Sequence, residues 1–149
     1  MVTAYQELGN FGELKVIQLC SCPKCKRRKT LKRLPANFKC ADVICDFCGY
    51  LAQVKATRVA DITKIPKAVL GAAWKPQKER MEAAIYFPLF LVLVSENLKQ
   101  HSIHYLAADL QNPELFRPRS PLTATARRAG WQGFVYDTAE ARTSFVRLI

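Results

Sequence analysis

Residues 41–55 read ADVICDFCGYLAQVK, and this stretch contains both candidate metal-binding cysteines and candidate catalytic residues. Its Cys45-Asp-Phe-Cys48 segment is a Cys-x-x-Cys pair, with Asp42 three residues before it and a Gln-x-Lys sequence after it at positions 53–55. Paired thiols are typical of a zinc knuckle. An acid and a Gln-x-Lys sequence on neighbouring strands can form a magnesium site that cleaves phosphodiesters. We therefore expect the zinc to hold the parts of a catalytic site in place.

A second Cys-x-x-Cys pair lies upstream, in Cys22-Pro-Lys-Cys25, and 19 residues separate it from Cys45. Four thiolates at this spacing can surround one tetrahedral zinc ion and leave no open ligand position, which is typical of a structural site. The sequence therefore predicts a four-cysteine zinc ribbon within residues 20–50. Its predicted ligands are Cys22, Cys25, Cys45 and Cys48.

Two more cysteines, Cys20 and Cys40, are surplus to this zinc site. Cys20 is close enough to Cys22 in sequence to compete for the metal. We expect both surplus residues to be small, buried apolar side chains, because a free cysteine behaves as a small hydrophobe.

The N-terminal sequence MVTAYQELGN lacks the basic and apolar regions of a secretory signal. The longest apolar run, residues 83–94, is too short to span a bilayer and contains Pro88. We therefore expect a cytoplasmic protein with no membrane partner. Thiols stay reduced in that compartment, so six cysteines favour a metal site over disulfides.

The candidate catalytic residues are Asp42, Gln53 and Lys55. Gln53 and Lys55 share one face of a predicted strand, because side chains alternate along a strand. We predict that Asp42, the Gln53 amide and the Val54 carbonyl oxygen hold Mg²⁺, while Lys55 orients the attacking water or stabilises the developing charge. The residue pattern alone leaves open a surface strand without a catalytic role.

The order of predicted elements indicates a mixed α/β protein. Residues 13–19 fit a strand or a helix, residues 65–84 are mostly helical with a break or kink at Pro76, and Gly49 closes the second knuckle with positive φ. Residues 89–94 predict a strand buried on both faces. Further strands are predicted at 38–44, 50–59, 104–108, 133–137 and 143–148. Residues 26–33 are predicted to form a basic loop or hairpin tip, residues 115–121 a loop, and residues 123–131 a loop or short helical turn.

The chain is strongly basic, with a formal net charge of +11. Eight Lys and Arg residues and no acid lie between Lys24 and Lys39. Such clustering favours a polyanionic partner such as nucleic acid. We predict phosphate contacts from Lys26, Arg27, Arg28 and Lys29, and the alternative is a solvated loop.

The segment ADVICDFC at positions 41–48, followed by Gln53-Val-Lys55, resembles the active-site region of the DpnI or Dam-replacing family of methyl-directed restriction endonucleases. In that family the catalytic Asp precedes a zinc knuckle by the same three residues, and acid-x-Lys follows it. Cys22-Pro-Lys-Cys25 is similar to the family's first knuckle. The sequence PLTATARRAGW at positions 121–131 is similar to a second family stretch.

The resemblance implies a fold and a substrate. The implied fold is a PD-(D/E)xK restriction-endonuclease-like mixed sheet flanked by helices, with the zinc ribbon inserted, in a single nuclease domain at residues 1–149. The implied substrate is double-stranded DNA, cut with Mg²⁺ in a type II-like manner at adenine-methylated GATC sites. Arg127 and Arg128 would read guanine edges, and Trp131 would pack against a methyl group or wedge at a base step, although a core position for Trp131 stays open.

Two departures from the family pattern bear on activity. Gln53 stands where the family has an acid, so the metal site has one negative charge fewer. The family's C-terminal winged helix is not expected in these residues. The alternatives are a non-catalytic zinc-ribbon DNA-binding protein derived from a nuclease, and a protein that binds RNA or single strands. The sequence does not decide between a monomer and a transient dimer.

Overall fold

The structure is a computed structural model that describes residues 3–36, 38 and 41–149. It is mixed α/β, as the order of elements predicts. The helices are Ala4–Leu19 (α1) and Trp74–Glu82 (α2), with short 3-10 helices at Ala108–Leu110, Pro113–Leu115 and Ala141–Ser144. The strands are Leu31–Arg33 (β1), Val43–Cys45 (β2), Leu51–Val59 (β3), Ala68–Ala73 (β4), Leu89–Ser95 (β5), His101–Leu106 (β6), Phe116–Pro118 (β7), Gly133–Asp137 (β8) and Val146–Arg147 (β9).

The chain forms two compact units. The first unit comprises residues 1–64, 87–108 and 145–149, and the second comprises residues 65–86 and 109–144. The assignment of residues 1–149 to a single nuclease domain stays a prediction.

Helix α1 begins with a reciprocal cap. The Thr3 side chain accepts a hydrogen bond from the Gln6 backbone N–H at 3.2 Å, and the Gln6 side chain accepts one from the Thr3 N–H at 2.8 Å. This capping box satisfies two backbone donors that a helix end otherwise leaves free. Residues 13–19, for which the sequence leaves strand and helix open, belong to this helix.

A six-stranded sheet forms the first unit, in the order β1-β2-β3-β5-β6-β9. Strands β3 and β5 are parallel and the other neighbours are antiparallel, so the sheet is mixed. Val16 of α1 lies in one buried cluster with Val43, Val54 and Val92 of three strands. This packing fixes α1 against the β2–β3 region of the sheet.

Strand β5 confirms the prediction of a strand buried on both faces. The side chains from Leu89 to Val94 are at most 2% exposed. Strand β3 matches the predicted 50–59 strand closely. The predicted strand at 38–44 is wrong in extent, because only its last residues lie in β2, while Lys39 and Cys40 fall outside the described residues.

The second unit contains a three-stranded antiparallel sheet in the order β4-β8-β7. It corrects the prediction that residues 65–84 are mostly helical, since β4 occupies the first half of this stretch and only α2 is helical. Pro76 does not break α2, because it lies in the first turn, where its missing N–H has no helical partner to lose. The predicted loop at 115–121 is also partly wrong, because it contains β7.

Within the described residues, no helix combines the length and the apolar character that crossing a bilayer requires. The PD-(D/E)xK topology stays a prediction, whereas the mixed sheet is observed.

Candidate functional site

Four cysteine sulfurs converge in the first unit, and they are the four that the spacing predicts. The Sγ atoms of Cys22, Cys25, Cys45 and Cys48 lie within 4.8 Å of one another. Cys22 Sγ is 3.6 Å from Cys48 Sγ, and Cys25 Sγ is 3.7 Å from Cys45 Sγ. Zn–S bonds of about 2.3 Å in a tetrahedron place the sulfurs about 3.8 Å apart. The cluster therefore fits a structural zinc ion.

The two knuckles have the same type of backbone turn. The Lys26 N–H donates to the Cys22 carbonyl, and the Gly49 N–H donates to the Cys45 carbonyl, both at 2.9 Å. In each knuckle the residue after the second cysteine is left-handed, with φ of 65° at Lys26 and 78° at Gly49. The positive φ expected at Gly49 is confirmed. This conformation is sterically unfavourable for lysine, because of its Cβ, but not for glycine.

The cysteines of the cluster differ in their acidity. Burial opposes ionisation of Cys45, but the hydrogen bond with Thr30 and those from the backbone amides of Cys48 and Phe47 outweigh it and lower the Cys45 pKa to about 6. Burial raises the pKa of Cys22 to about 12. Because the thiolate is the form that binds a metal, Cys45 is better prepared than Cys22 to bind an ion.

Cys20 does not join the cluster. It is buried beside Cys22 in the apolar core, and burial raises its pKa to about 11. It therefore has the character of a small apolar core residue, as expected. Cys40 lies outside the described residues.

The second candidate site lies where β2 and β3 separate. Strand β2 pairs with β3 only at Val43↔Ala52 and Ile44↔Leu51. One residue earlier, the Asp42 N–H donates to the Ala52 carbonyl at 3.0 Å, and the Asp42 carboxylate accepts the Val54 N–H at 2.7 Å. The side chain thus replaces the next bond of the ladder. We call this edge of β3, where Asp42 and Val54 meet, the fork.

The Val54 carbonyl points toward the fork as well, because the N–H and C=O of a strand residue lie on the same side of the strand. One oxygen of the Asp42 carboxylate, Oδ2, accepts the Val54 N–H. Gln53 and Lys55 flank Val54 and share the opposite face of β3 from it. The predicted Asp42, Gln53, Val54 and Lys55 are therefore all at or next to the fork.

Lys55 is half-buried, and burial lowers its pKa, whereas the negative charges of Asp42 and Glu13 oppose that shift. None of the ion pairs formed by the described residues includes Lys55. An ammonium with two carboxylates in range but none in contact is available to a third group such as water or a phosphate.

Glu13 of α1 is a charged residue near the fork that the sequence reasoning missed. Burial raises its pKa, the charge of Asp42 raises it further, and Arg33 and Lys55 oppose the shift. Arg33 donates to the Glu13 carboxylate at 3.4 Å. The signal that would have found Glu13 is the cap at Thr3, which starts a helix whose buried face includes Gly12 and Val16.

The predicted phosphate-binding residues lie on an exposed loop of the first unit. Lys26, Arg27, Arg28 and Lys29 are all exposed. The Arg27 guanidinium stacks on the Phe47 ring, 3.7 Å from its centroid, and this ring belongs to the other knuckle. The loop thus presents four cations to solvent, one of them held over an aromatic ring.

In the second unit, Arg127 and Arg128 are exposed and Trp131 is half-buried. The Arg128 guanidinium lies 4.5 Å from the centre of the Trp131 ring. A Cβ on Gly133 would come within 2.8 Å of the same ring, so the indole covers this glycine. Trp131 is therefore partly packed, with the Arg128 guanidinium over its ring.

One comparison with known proteins bears on these sites. The family model named DpnI and described as the Dam-replacing family matches residues 3–147, which is nearly the whole chain. The match includes both knuckles, the fork and the segment that carries Arg127, Arg128 and Trp131.

Proposed function

This chain belongs to the DpnI, or Dam-replacing, family, and on that premise we propose that it is a Mg²⁺-dependent endonuclease that hydrolyses phosphodiester bonds of double-stranded DNA. Family membership indicates a restriction-type nuclease that acts on methylated DNA. The observation that supports the proposal most is the convergence of the Asp42 carboxylate, the Val54 backbone and Lys55 at the fork.

The proposed cation ligands are Asp42, Gln53 and the Val54 carbonyl. They fit Mg²⁺ by donor chemistry, since all three offer oxygen atoms. The Val54 N–H fixes one Asp42 oxygen and so orients the other. When bound, Mg²⁺ would neutralise charge on the phosphoryl oxygens.

Lys55 is proposed to orient the attacking water and to stabilise charge that develops on the phosphate. Burial strengthens this electrostatic effect, because solvent screens the ammonium less than at the surface. The cost is a lowered pKa for the lysine, which Asp42 and Glu13 partly offset.

The zinc is proposed to keep the fork in register. Cys45 ends β2 and Asp42 lies just before the same strand, so a fixed Cys45 also fixes where Asp42 meets β3. A reducing, cytoplasmic compartment would keep the thiols able to bind metal.

Recognition is proposed to divide between two sets of residues. The loop residues Lys26, Arg27, Arg28 and Lys29 would contact phosphates, which gives affinity without sequence. Arg127 and Arg128 would contact guanine, and the apolar ring of Trp131 would contact a methyl group, consistent with adenine-methylated GATC sites.

The second candidate function is a DNA-binding protein that has lost cleavage, and Gln53 favours it. A neutral amide still offers an oxygen but contributes no charge to the cation. Cleavage and binding must therefore be measured separately.

Asp42→Asn tests the proposal, with Asp46→Asn as the matched control. Asp46 is an exposed carboxylate of the same segment whose nearest cation is Lys32 at 3.9 Å. The substrates are one plasmid with adenine-methylated GATC sites and the same plasmid without them. Magnesium is omitted or replaced by Ca²⁺ rather than chelated, since a chelator would also compete for zinc.

We expect the unchanged protein and the Asp46→Asn variant to cut the methylated plasmid with Mg²⁺, and Asp42→Asn to bind a short duplex without cutting. Binding without Mg²⁺-dependent cleavage by the unchanged protein would establish the non-catalytic alternative. Stronger retention of single strands than of duplex in a salt titration would point to RNA or single-strand binding.

A further inference from the structure

The second knuckle of the zinc ribbon presents an aromatic ring to solvent. Phe47 lies between the predicted ligands Cys45 and Cys48 and is 61% exposed, the largest value for any phenylalanine in the described part of the chain. The ring therefore contributes little to the core. A single exposed apolar side chain is ordinary on a protein surface, so the surroundings of the ring decide whether it fits a ligand.

One face of the Phe47 ring is covered and the other is open. The Arg27 guanidinium carbon lies 3.7 Å from the ring centroid, so the cation rests on one face. Since Phe47 remains 61% exposed with this cation in place, the opposite face lies in solvent. A ring with one free face can stack on a nucleobase, because both are flat and aromatic.

The two knuckles hold this pair in place. The Arg27 carbonyl accepts the Cys22 N–H at 3.0 Å, which ties Arg27 to its own knuckle. The Asp46 N–H donates to the Thr30 carbonyl at 2.8 Å, which joins the knuckle of Phe47 to the loop that carries Arg27. The ring is thus presented by a fixed backbone, and this lowers the entropy that is lost when a ligand orders it.

The ring is surrounded by positive charge. All four residues of the loop at 26–29 are cations and are exposed. The acid beside the ring, Asp46, lies 3.9 Å from the Lys32 ammonium, which offsets its charge. The bases of a duplex lie between two rows of phosphates, so a ring set among phosphate-binding cations faces a groove. Proteins that bind in the minor groove frequently insert a phenylalanine at a base step.

We propose that Phe47 is a wedge that enters the minor groove and stacks on a base of the DNA that the basic loop holds. The inference rests on the proposed function, because it takes double-stranded DNA as the partner. Arg27 would then both support the ring and contact a phosphate. The competing explanation is that Phe47 only holds Arg27 in place for its phosphate contact.

Two measurements on the zinc-loaded protein separate these explanations, with Ca²⁺ in place of Mg²⁺ so that the DNA stays intact. The first is the fluorescence of 2-aminopurine, a base analogue that brightens when its stacking is disturbed. It is placed in turn at each position flanking a methylated GATC site in a short duplex. The second is the number of ions released on binding, taken from the salt dependence of the affinity.

The variants are Phe47→Ala, Phe47→Leu and Arg27→Gln. The matched control is Phe38→Ala, which removes another exposed phenyl ring of the same unit. Zinc content and thermal unfolding of each variant identify any loss that is due to folding.

We expect the unchanged protein to raise the fluorescence at one or two neighbouring positions. Phe47→Ala should abolish this rise and weaken binding by about tenfold, yet release as many ions, because the ring carries no charge. Phe47→Leu should keep part of the rise, since leucine also serves as a wedge. Arg27→Gln should release about one ion fewer, and Phe38→Ala should match the unchanged protein.

The inference is overturned if binding leaves the fluorescence unchanged at every position, or if Phe47→Ala keeps the whole rise. No rise together with Mg²⁺-dependent cleavage would leave the proposed function intact. A loss of about one released ion in Phe47→Ala, as in Arg27→Gln, would assign the ring to the support of Arg27.

Two further outcomes name other partners for the ring. Self-association of the unchanged protein in sedimentation, abolished in Phe47→Ala and without a fluorescence rise, would assign the ring to a contact between copies of this chain. Failure of the unchanged protein to bind any duplex would reject the wedge and the proposed function together.

Discussion

The cysteine cluster and the fork are neighbours in sequence but are built differently. All four sulfurs come from two short turns of the same type, and they meet within 4.8 Å. The fork instead needs two strands to separate at Val43 and a carboxylate to replace a ladder bond. Each turn of the cluster is complete in its own short segment, whereas the fork exists only when two strands are assembled.

This difference implies that a substitution in the cluster should also disturb the geometry of the fork, whereas a substitution at the fork should leave the cluster intact. Cys45 belongs to β2, so its position also fixes Asp42. Lys55, Gln53 and Glu13 hold no sulfur in place. Substitutions in the two regions should therefore separate folding from chemistry.

The largest effect is expected for Cys45→Ser. This change removes a buried ligand and, with it, much of the metal-binding free energy, which is on the order of 10 kcal/mol for structural zinc. Zinc content should fall, and circular dichroism should show unfolding near ambient temperature.

The control for this prediction is Cys20→Ala, which changes a buried cysteine outside the cluster. It should keep its zinc and lose only about 1 kcal/mol of stability. Equal zinc content in both variants would contradict the assignment of Cys45 as a ligand.

Lys55→Met is expected to have the next largest effect, on cleavage and not on folding. Loss of the ammonium should slow cleavage about 10²–10⁴-fold. Because burial disfavours the charged form of Lys55 and lowers its pKa, the apolar side chain should hold or raise stability by about 1 kcal/mol.

Single-turnover cleavage and urea unfolding together check the Lys55 prediction. Lys64→Met is the matched control, since Lys64 is an exposed lysine of the same unit. A variant at position 55 that both unfolds and loses zinc would show that the two regions are not separable.

Gln53→Glu should have a smaller effect in the opposite direction. An added carboxylate next to the fork should lower the Mg²⁺ concentration for half-maximal cleavage, by about tenfold. Cleavage rates over a magnesium titration measure this shift. An increase in the magnesium requirement would show that position 53 does not face the cation.

The smallest effect is expected at the knuckle turns. Lys26→Gly should stabilise the ribbon by up to about 1 kcal/mol, because glycine takes the left-handed conformation without strain, whereas Gly49→Ala should destabilise it by about 1 kcal/mol. Denaturant midpoints measure both changes. If Lys26 also contacts phosphate, the number of ions released on DNA binding, taken from its salt dependence, should be lower by about one in Lys26→Gly.

Local signals predicted the elements that depend on few distant contacts. The spacing of the cysteines determines that two turns can share one ion, and the apolar run from Leu89 to Val94 permits burial on both faces. The alternation along β3 correctly places Gln53 and Lys55 on one face, because the period of a strand is fixed by the backbone.

The failures lie where a distant strand overrides local preference. Residues 68–73, AVLGAA, have the composition of a helix, yet they form β4 because Val69 and Leu70 pair with Tyr136 and Val135 of β8. Gly71 permits this pairing, since a Cβ there would lie 2.4 Å from the Phe134 ring. The residues that neighbour position 70 in the sequence do not indicate this pairing with β8.

The sequence by itself determined the thiolate cluster, the basic loop and the family, because turn geometry, charge and motif order are properties of short segments. Only the tertiary structure decided where β2 leaves β3, so that the Asp42 carboxylate takes the Val54 N–H, and which helical residue comes near it. The physical reason is that a ladder's end and a helix's position depend on contacts between segments far apart in the chain.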